Sequence, residues 1–231
     1  LKDLQDWDEL VRRGRKAVQS MSDQASKQGR EEVEFGEMRL AIKCGGSDTT
    51  SGVVSNPVAG FVADRVIGEG GTVVFTETPE ILGAEHVLAK RSINKTVAER
   101  VLEAARNMER RIMDMGVDLR GSEPTPANIA GGLTTIEEKS LGCVCKGGSS
   151  PLNEVIDYGE RPSRKGLVVM DTPGYDIESN TGMAAGGAQI IIFTTGRGTP
   201  AGFPTVPIIK VASNSGTFAK MAGDMDINAG R

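Results

Sequence analysis

The sequence predicts an α/β fold, on three observations. Its strand candidates are continuous apolar runs, such as TVVFT at 72–76, LVVM at 167–170 and QIIIFTT at 189–195. Runs of that kind mark strands buried on both faces of a parallel sheet. They alternate with segments whose apolar residues recur at helical spacing. Each run also ends in a polar, often Gly-rich turn. The pattern reads as two layered units with mostly parallel sheets flanked by helices, over 1–120 and 121–231. The second unit is Rossmann-like without a dinucleotide fingerprint, because no GxGxxG opens a helix after the first strand.

In chain order, residues 3–30 read as a helix, with Leu4, Trp7, Leu10, Val11, Ala17, Val18 and Met21 at helical spacing among charges. Residues 38–44 read as a strand that runs into Gly45-Gly46-Ser47-Asp48. A helix is expected over 55–67, with Ser55 or Asn56 as N-cap and Pro57 in the first turn. The strand at 72–76 is followed by helices over 81–90 and 96–115, the second laced with Glu/Arg pairs. Pro124, Pro126, Gly121, Gly131 and Gly132 make 116–134 a long loop, where the two units divide. A short helix over 135–141 leads to Gly142–Gly148, and a further loop runs to 165. The strand 167–170 ends at Asp171-Thr172-Pro173-Gly174, before a helix near 176–186. The strand 189–195 ends in Gly196-Arg197-Gly198-Thr199-Pro200; a strand over 207–212 and a helix near 215–222 close the chain.

Composition excludes several functions. The 231 residues carry 27 Lys and Arg against 31 Asp and Glu, a net charge of −4. A mildly acidic chain is a poor electrostatic partner for nucleic acid or an anionic membrane. One Trp, two Tyr and six Phe do not furnish a base-stacking platform. No run of 18 apolar residues is present. Neither nucleic acid nor membrane is therefore an expected partner. Cys44, Cys143 and Cys145 are too few and too odd for a disulfide framework, and no signal peptide is visible. Reduced thiols and a cytoplasmic location are expected.

The chemical signal lies in the turn after each strand. The turns at 44–48, 76–77, 171–174 and 194–199 all fall at strand C-terminal ends, the edge where open α/β sheets bind ligands. Singly, each is an ordinary connector. Together they predict a site for a small, polar, anionic ligand, gripped by free main-chain N–H groups. The candidate substrate-binding residues are Cys44, Gly45, Gly46, Ser47, Asp48, Asp171, Thr194, Thr195, Gly196, Arg197, Gly198 and Thr199. Arg197 has the fork geometry for a carboxylate. Glu77 and Glu80 flank Pro79, and Glu137, Glu138 and Lys139 open a helix, where acids also serve the helix dipole. Cys143-Val144-Cys145 is a weak metal signal without a second Cys pair. His86 is the single histidine and reads as a surface or packing residue, so a Ser-His or Cys-His apparatus uses it or none.

Long segments then carry a resemblance. They are KCGGSD at 43–48, SNP at 55–57, GGTVVFTETPE at 70–80, GGLTTIEEKSLGCVCKGG at 131–148, FTTGRGTP at 193–200, IKVASNS at 209–215 and DINAG at 226–230. In this order they closely resemble the altronate dehydratase/galactarate dehydratase family, specifically the C-terminal part of its catalytic polypeptide. The resemblance implies a hydro-lyase that removes water from a sugar acid to give a 2-keto-3-deoxy acid. It also implies a divalent metal, iron(II), whose ligands are unassigned and fall wholly or partly outside this chain. Expected partners are the sugar-acid substrate, the remaining N-terminal part or a small subunit, and further copies of the chain. Arg197 and the glycine turns would bind the acid, Asp48, Glu77 and Thr199 would position hydroxyls, and Lys139 or Lys146 would serve as base if desolvation lowers its pKa. Catalytic candidates are thus Lys139, Lys146 and Glu77. A sulfolactate sulfo-lyase subunit and a non-catalytic sugar-acid-binding domain are the alternatives.

Overall fold

The computed structural model describes residues 6–231, which divide into two compact units, 6–34 and Phe35–Arg231. In the first, helix α1 spans Trp7–Ala25, and the Asp6 side chain accepts the Asp8 N–H at 2.9 Å as its N-cap. The start of the expected 3–30 helix, including Leu4, lies outside the described residues.

The second unit is built on seven strands and eight helices among the described residues. In chain order they are β1 (Arg39–Cys44), α2 (Asn56–Gly68), β2 (Thr72–Phe75), α3 (Glu85–Lys90), α4 (Lys95–Asp114), α5 (Leu119–Ser122), α6 (Pro126–Ala130) and α7 (Ile136–Val144). They continue as β3 (Leu152–Ile156), β4 (Gly166–Met170), α8 (Asp176–Ala185), β5 (Ile190–Thr195), β6 (Ile208–Ala212), α9 (Ser215–Lys220) and β7 (Ile227–Asn228). Side-chain caps start both α4 and α7, close to the starts expected at 96 and 135. Asn94 accepts the Val97 N–H at 2.9 Å to start α4, and Thr135 accepts that of Glu138 at 3.1 Å to start α7. The stretch expected as loop at 116–134 holds the short helices α5 and α6, and β3 lies in the second expected loop.

All strands join one parallel sheet, in the order β3-β4-β2-β1-β5-β6-β7. The boundary expected at 120/121 does not divide the sheet: β4 and β5, from the C-terminal half, flank β2 and β1 from the N-terminal half. The α/β class and parallel strands agree with the sequence; the strands share one sheet rather than two.

Side chains alternate between the two faces, as strand geometry requires. Leu40, Ile42, Val73, Phe75, Leu167 and Val169 pack with Ala59 and Ala63 of α2, Val101 of α4 and Ile136 of α7. Ala41, Val74, Val168, Met170 and Ile191 pack on the other face with Met183 of α8. Every residue of β2 and β4 is buried, which explains their unbroken apolar sequences. Among the described residues no helix is long and apolar enough to cross a membrane.

Candidate active site

The strand order itself makes a site. From β1 the chain moves through β2, β3 and β4 on one side of the sheet, then crosses to β5, β6 and β7 on the other. At such a reversal the loops leaving the two central strands part and leave a crevice at their carboxyl ends. A cavity of about 830 Å³ lies there. It is lined by Cys44, Gly45, Gly46 and Ser47 after β1, by Pro79 and Glu80 after β2, by Gly174–Glu178 after β4 and by Arg197 after β5. Lys139 of α7, Glu123 and Asn128 close the polar side; Ile112, Met115, Val117 and Leu119 give it an apolar wall.

Backbone bonds tie these turns together. Gly45 N–H donates to the Thr194 carbonyl at 3.1 Å, and Arg197 N–H to the Gly46 carbonyl at 2.9 Å. The Asn128 side-chain amide donates to the Ser47 carbonyl at 2.8 Å. Gly46 has φ +57°, a conformation that a side chain disfavours. The N–H groups of Gly46 and Ser47 have no partner among the described residues and remain available to an anion.

Beneath the cavity lies a buried charge cluster. Glu77 lies in the turn that follows β2 and is fully buried. Its Oε1 lies 3.1 Å from Lys43 Nζ, above the Phe193 ring, while its Oε2 contacts Lys146 Nζ, above the Phe75 ring. Oε2 also accepts the Cys44 N–H at 2.7 Å. Lys43 reaches the cavity wall through Asp176, at 2.8 Å. Two buried ammonium groups therefore face two carboxylates, the fully buried Glu77 and the partly exposed Asp176, as charges removed from water require. Burial works to raise the Glu77 pKa, but Lys146 and Lys43 outweigh it and hold the carboxyl below its usual value. Burial likewise opposes the charge on Lys43 and Lys146. Glu77 and Asp176 around Lys43, and Cys143, Cys44 and Glu77 around Lys146, reverse that and raise both pKa values.

A second ion cluster faces the cavity. Lys139 Nζ lies 3.0 Å from Glu80 Oε1 and 2.6 Å from Glu123 Oε2. Burial alone would lower the Lys139 pKa, but these two carboxylates raise it. Glu80 is pushed above its ordinary value, chiefly by burial, with Lys139 pulling the other way; its Oε2 has no hydrogen-bond partner.

The structure thus brings Cys44, Gly45, Gly46, Ser47, Arg197 and Lys139 to one cavity. Lys146 and Glu77 lie fully buried below it, and neither lysine has the lowered pKa that a base would need. The other expected binding residues are engaged elsewhere. Asp48 accepts the Ser51 N–H at 2.9 Å and the Thr50 hydroxyl at 2.6 Å, and lines a smaller cavity of about 270 Å³. Asp171 is held by Thr78 at 2.6 Å and Arg111 at 2.8 Å. Thr194 donates to Asn56 at 2.6 Å, and Thr195 accepts the Gly198 N–H at 2.8 Å. Thr199 caps its own turn through the Ala201 N–H at 3.1 Å, and the Gly196 carbonyl accepts from Asn214 at 2.8 Å. These residues shape the turns rather than line the cavity. Glu138 is spent on the Thr134 N–H at 2.8 Å, the capping role open to acids at a helix start. Sequence reasoning did not single out Lys43, Glu123 or Asp176. Lys43 is a charge inside an apolar strand, which is itself a signal for a buried partner.

Cys44 Sγ, a Glu77 carboxylate oxygen and Cys143 Sγ lie within 4.8 Å of one another, a spacing suited to a metal ion. The Lys146 ammonium, however, lies 3.2 Å from Cys44 Sγ, 3.0 Å from Cys143 Sγ and against Glu77. The positive charge that a divalent ion would bring is already supplied there. The donor set as arranged does not fit a metal.

Residues 35–231 match the family model described as D-galactarate/altronate dehydratase, C-terminal. The chain is 40% identical over 201 residues to altronate dehydratase of Bacillus subtilis (strain 168), covering 87% of this chain and 40% of that protein. It is 39% identical over 201 residues to galactarate dehydratase (L-threo-forming) of Escherichia coli (strain K12), covering 87% and 38%. It is 40% identical over 207 residues to (2R)-sulfolactate sulfo-lyase subunit beta of Chromohalobacter salexigens, covering 88% and 53%. The chain thus spans about two fifths of the length of these dehydratases and about half that of the sulfo-lyase subunit. On the match over 35–231, the chain belongs to the D-galactarate/altronate dehydratase C-terminal family.

Proposed function

We propose that this chain supplies the acid-binding and proton-transfer site of a carbon–oxygen lyase. The reaction removes water from an aldonate or aldarate, such as altronate or galactarate, and yields a 2-keto-3-deoxy acid. The observation that carries the reading is the pairing of Lys139 with Glu80 in the cavity that also holds Arg197 and the Gly46 and Ser47 amides.

The hydrogen on the carbon beside a carboxylate is barely acidic, and its loss places a second negative charge on that carboxylate. Arg197 and the two free amides would hold the carboxylate, and the Lys139 ammonium would stabilise the added charge. Lys139 stays protonated, so it serves as an electrostatic partner rather than the base. Glu80, with a raised pKa and an oxygen without a partner, is the better base. It takes the proton and returns it to the hydroxide leaving the adjacent carbon, which departs as water. The resulting enol then becomes the keto acid. The divalent metal implied by the family resemblance would take its ligands elsewhere, and no step here runs through it. The remaining N-terminal part, or another subunit, is the natural source of such ligands.

The test is turnover by the protein at its full native length, with iron(II), on altronate and galactarate, followed by trapping the keto acid. Keto-acid formation supports the reading. Release of sulfite from a 2-hydroxy-3-sulfonate instead would favour the sulfo-lyase reading, which the similarity to a sulfo-lyase subunit supports. Binding of hexarates in a thermal-shift titration without any turnover would mark a binding domain.

A further inference from the structure

Two cysteines 99 residues apart meet beside the cavity. Cys44 closes β1 and Cys143 lies in α7, with their sulfurs 3.7 Å apart. The Lys146 ammonium touches both, at 3.2 and 3.0 Å. A cation in that position stabilises the negative charge that builds on the Cys44 sulfur as it loses its proton in the attack. Both residues are almost fully buried, yet Cys44 lines the 830 Å³ cavity. A small molecule in the cavity therefore meets Cys44, with Cys143 behind it, while a protein oxidant is too large to enter.

We infer that Cys44 and Cys143 form a reversible disulfide when a small hydroperoxide enters the cavity, and that this bond is a redox switch on the site. Cys44 gives up its proton and its sulfur attacks a peroxide oxygen. The O–O bond breaks, hydroxide leaves and takes that proton as water, and Cys44 becomes a sulfenic acid. The Cys143 sulfur, giving up its own proton, attacks the Cys44 sulfur. The S–O bond breaks and a second water leaves. Two thiols and one hydrogen peroxide become one disulfide and two waters, the peroxide accepting the two electrons the thiols lose.

Geometry gives the bond a consequence. It draws the sulfurs together to about 2.05 Å, and so ties the end of β1 to α7. The first carries the Gly45-Gly46-Ser47 turn and the second carries Lys139, so both halves of the cavity feel the change. The hydrogen bond to Cys143 and burial raise the Cys44 pKa, against the pull of Lys146, so Cys44 rests as the thiol.

The test needs no substrate, so its failure is distinct from failure of the lyase reading. The protein is treated with a tenfold excess of hydrogen peroxide, unfolded in iodoacetamide and mapped by mass spectrometry with and without dithiothreitol. The expected product is a peptide pair joined through Cys44 and Cys143, two hydrogens lighter than the separate peptides and separated by dithiothreitol. It persists in Cys145→Ser and is absent from Cys143→Ala, where Cys44 carries the oxygen instead. In Lys146→Met the cross-link forms at least tenfold more slowly. Full alkylation of Cys44 and Cys143 after peroxide would overturn the proposal. So would oxidation confined to Cys145, or sulfinic acid without a cross-link.

Discussion

Glu77 has φ +77°, in the left-handed region that residues with a side chain seldom occupy. Conformations of this kind cost about 1–3 kcal/mol and persist where the surroundings over-determine them. Here Lys43, Lys146 and the Cys44 N–H fix the carboxylate, and the Glu77 N–H donates to Thr172 Oγ1 at 2.8 Å. Glu77→Gln would leave two buried ammonium groups facing one carboxylate, with an expected loss of about 3–5 kcal/mol by urea unfolding. The same charges set the pH dependence. The Glu77 pKa lies below its ordinary value of 4.5, so its contribution is present above pH 4.5 and lost as pH falls through the folded value. The Lys43 and Lys146 pKa values lie above 10.5, so theirs is present below pH 10.5 and lost as pH rises through the folded values. A plot of the unfolding midpoint against pH is expected to fall at both extremes, and Glu77→Gln to flatten its acid side.

Close approach between elements places Lys146. Gly60 of α2 packs against the turn at Cys145–Gly148, where a Cβ would run into the Cys145 carbonyl oxygen. Gly60→Ala is expected to cost about 1–3 kcal/mol of stability, measurable by thermal unfolding. Most elements were legible because their signals are local: α4 shows helical spacing with Glu/Arg pairs, and β4 and the first four residues of β5 are apolar runs. β3 was not, because Asn153 and Glu154 interrupt it and leave it half-buried at the sheet edge. The two residues of β7 carry too little pattern to recognise.

At the scale of the whole molecule, local signals stop. The sequence shows strands alternating with helices, but not that β4 enters beside β2 or that β5 enters beside β1, since long-range pairing decides both. That insertion turns two expected sheets into one and places the crevice between the turns after β1 and β5. The convergence of glycine turns on one edge was readable, because each comes directly after its own strand. The cluster of Lys146 with Glu77, Cys44 and Cys143 was not, because it joins residues 69 and 102 positions apart. Arg197 stands alone as the cavity's guanidinium among the described residues. Arg197→Ala is expected to raise KM for a sugar acid at least tenfold, seen in steady-state kinetics.

In the proposed chemistry Glu80 moves the proton while Arg197 and the amides hold the acid. The most direct measurement is kcat and KM for Glu80→Gln in the full-length protein, across pH. That role predicts kcat lower by about 100-fold or more with KM little changed, and loss of an acid limb lying above pH 4.5 in the parent profile. An unchanged kcat with the acid limb intact would contradict it.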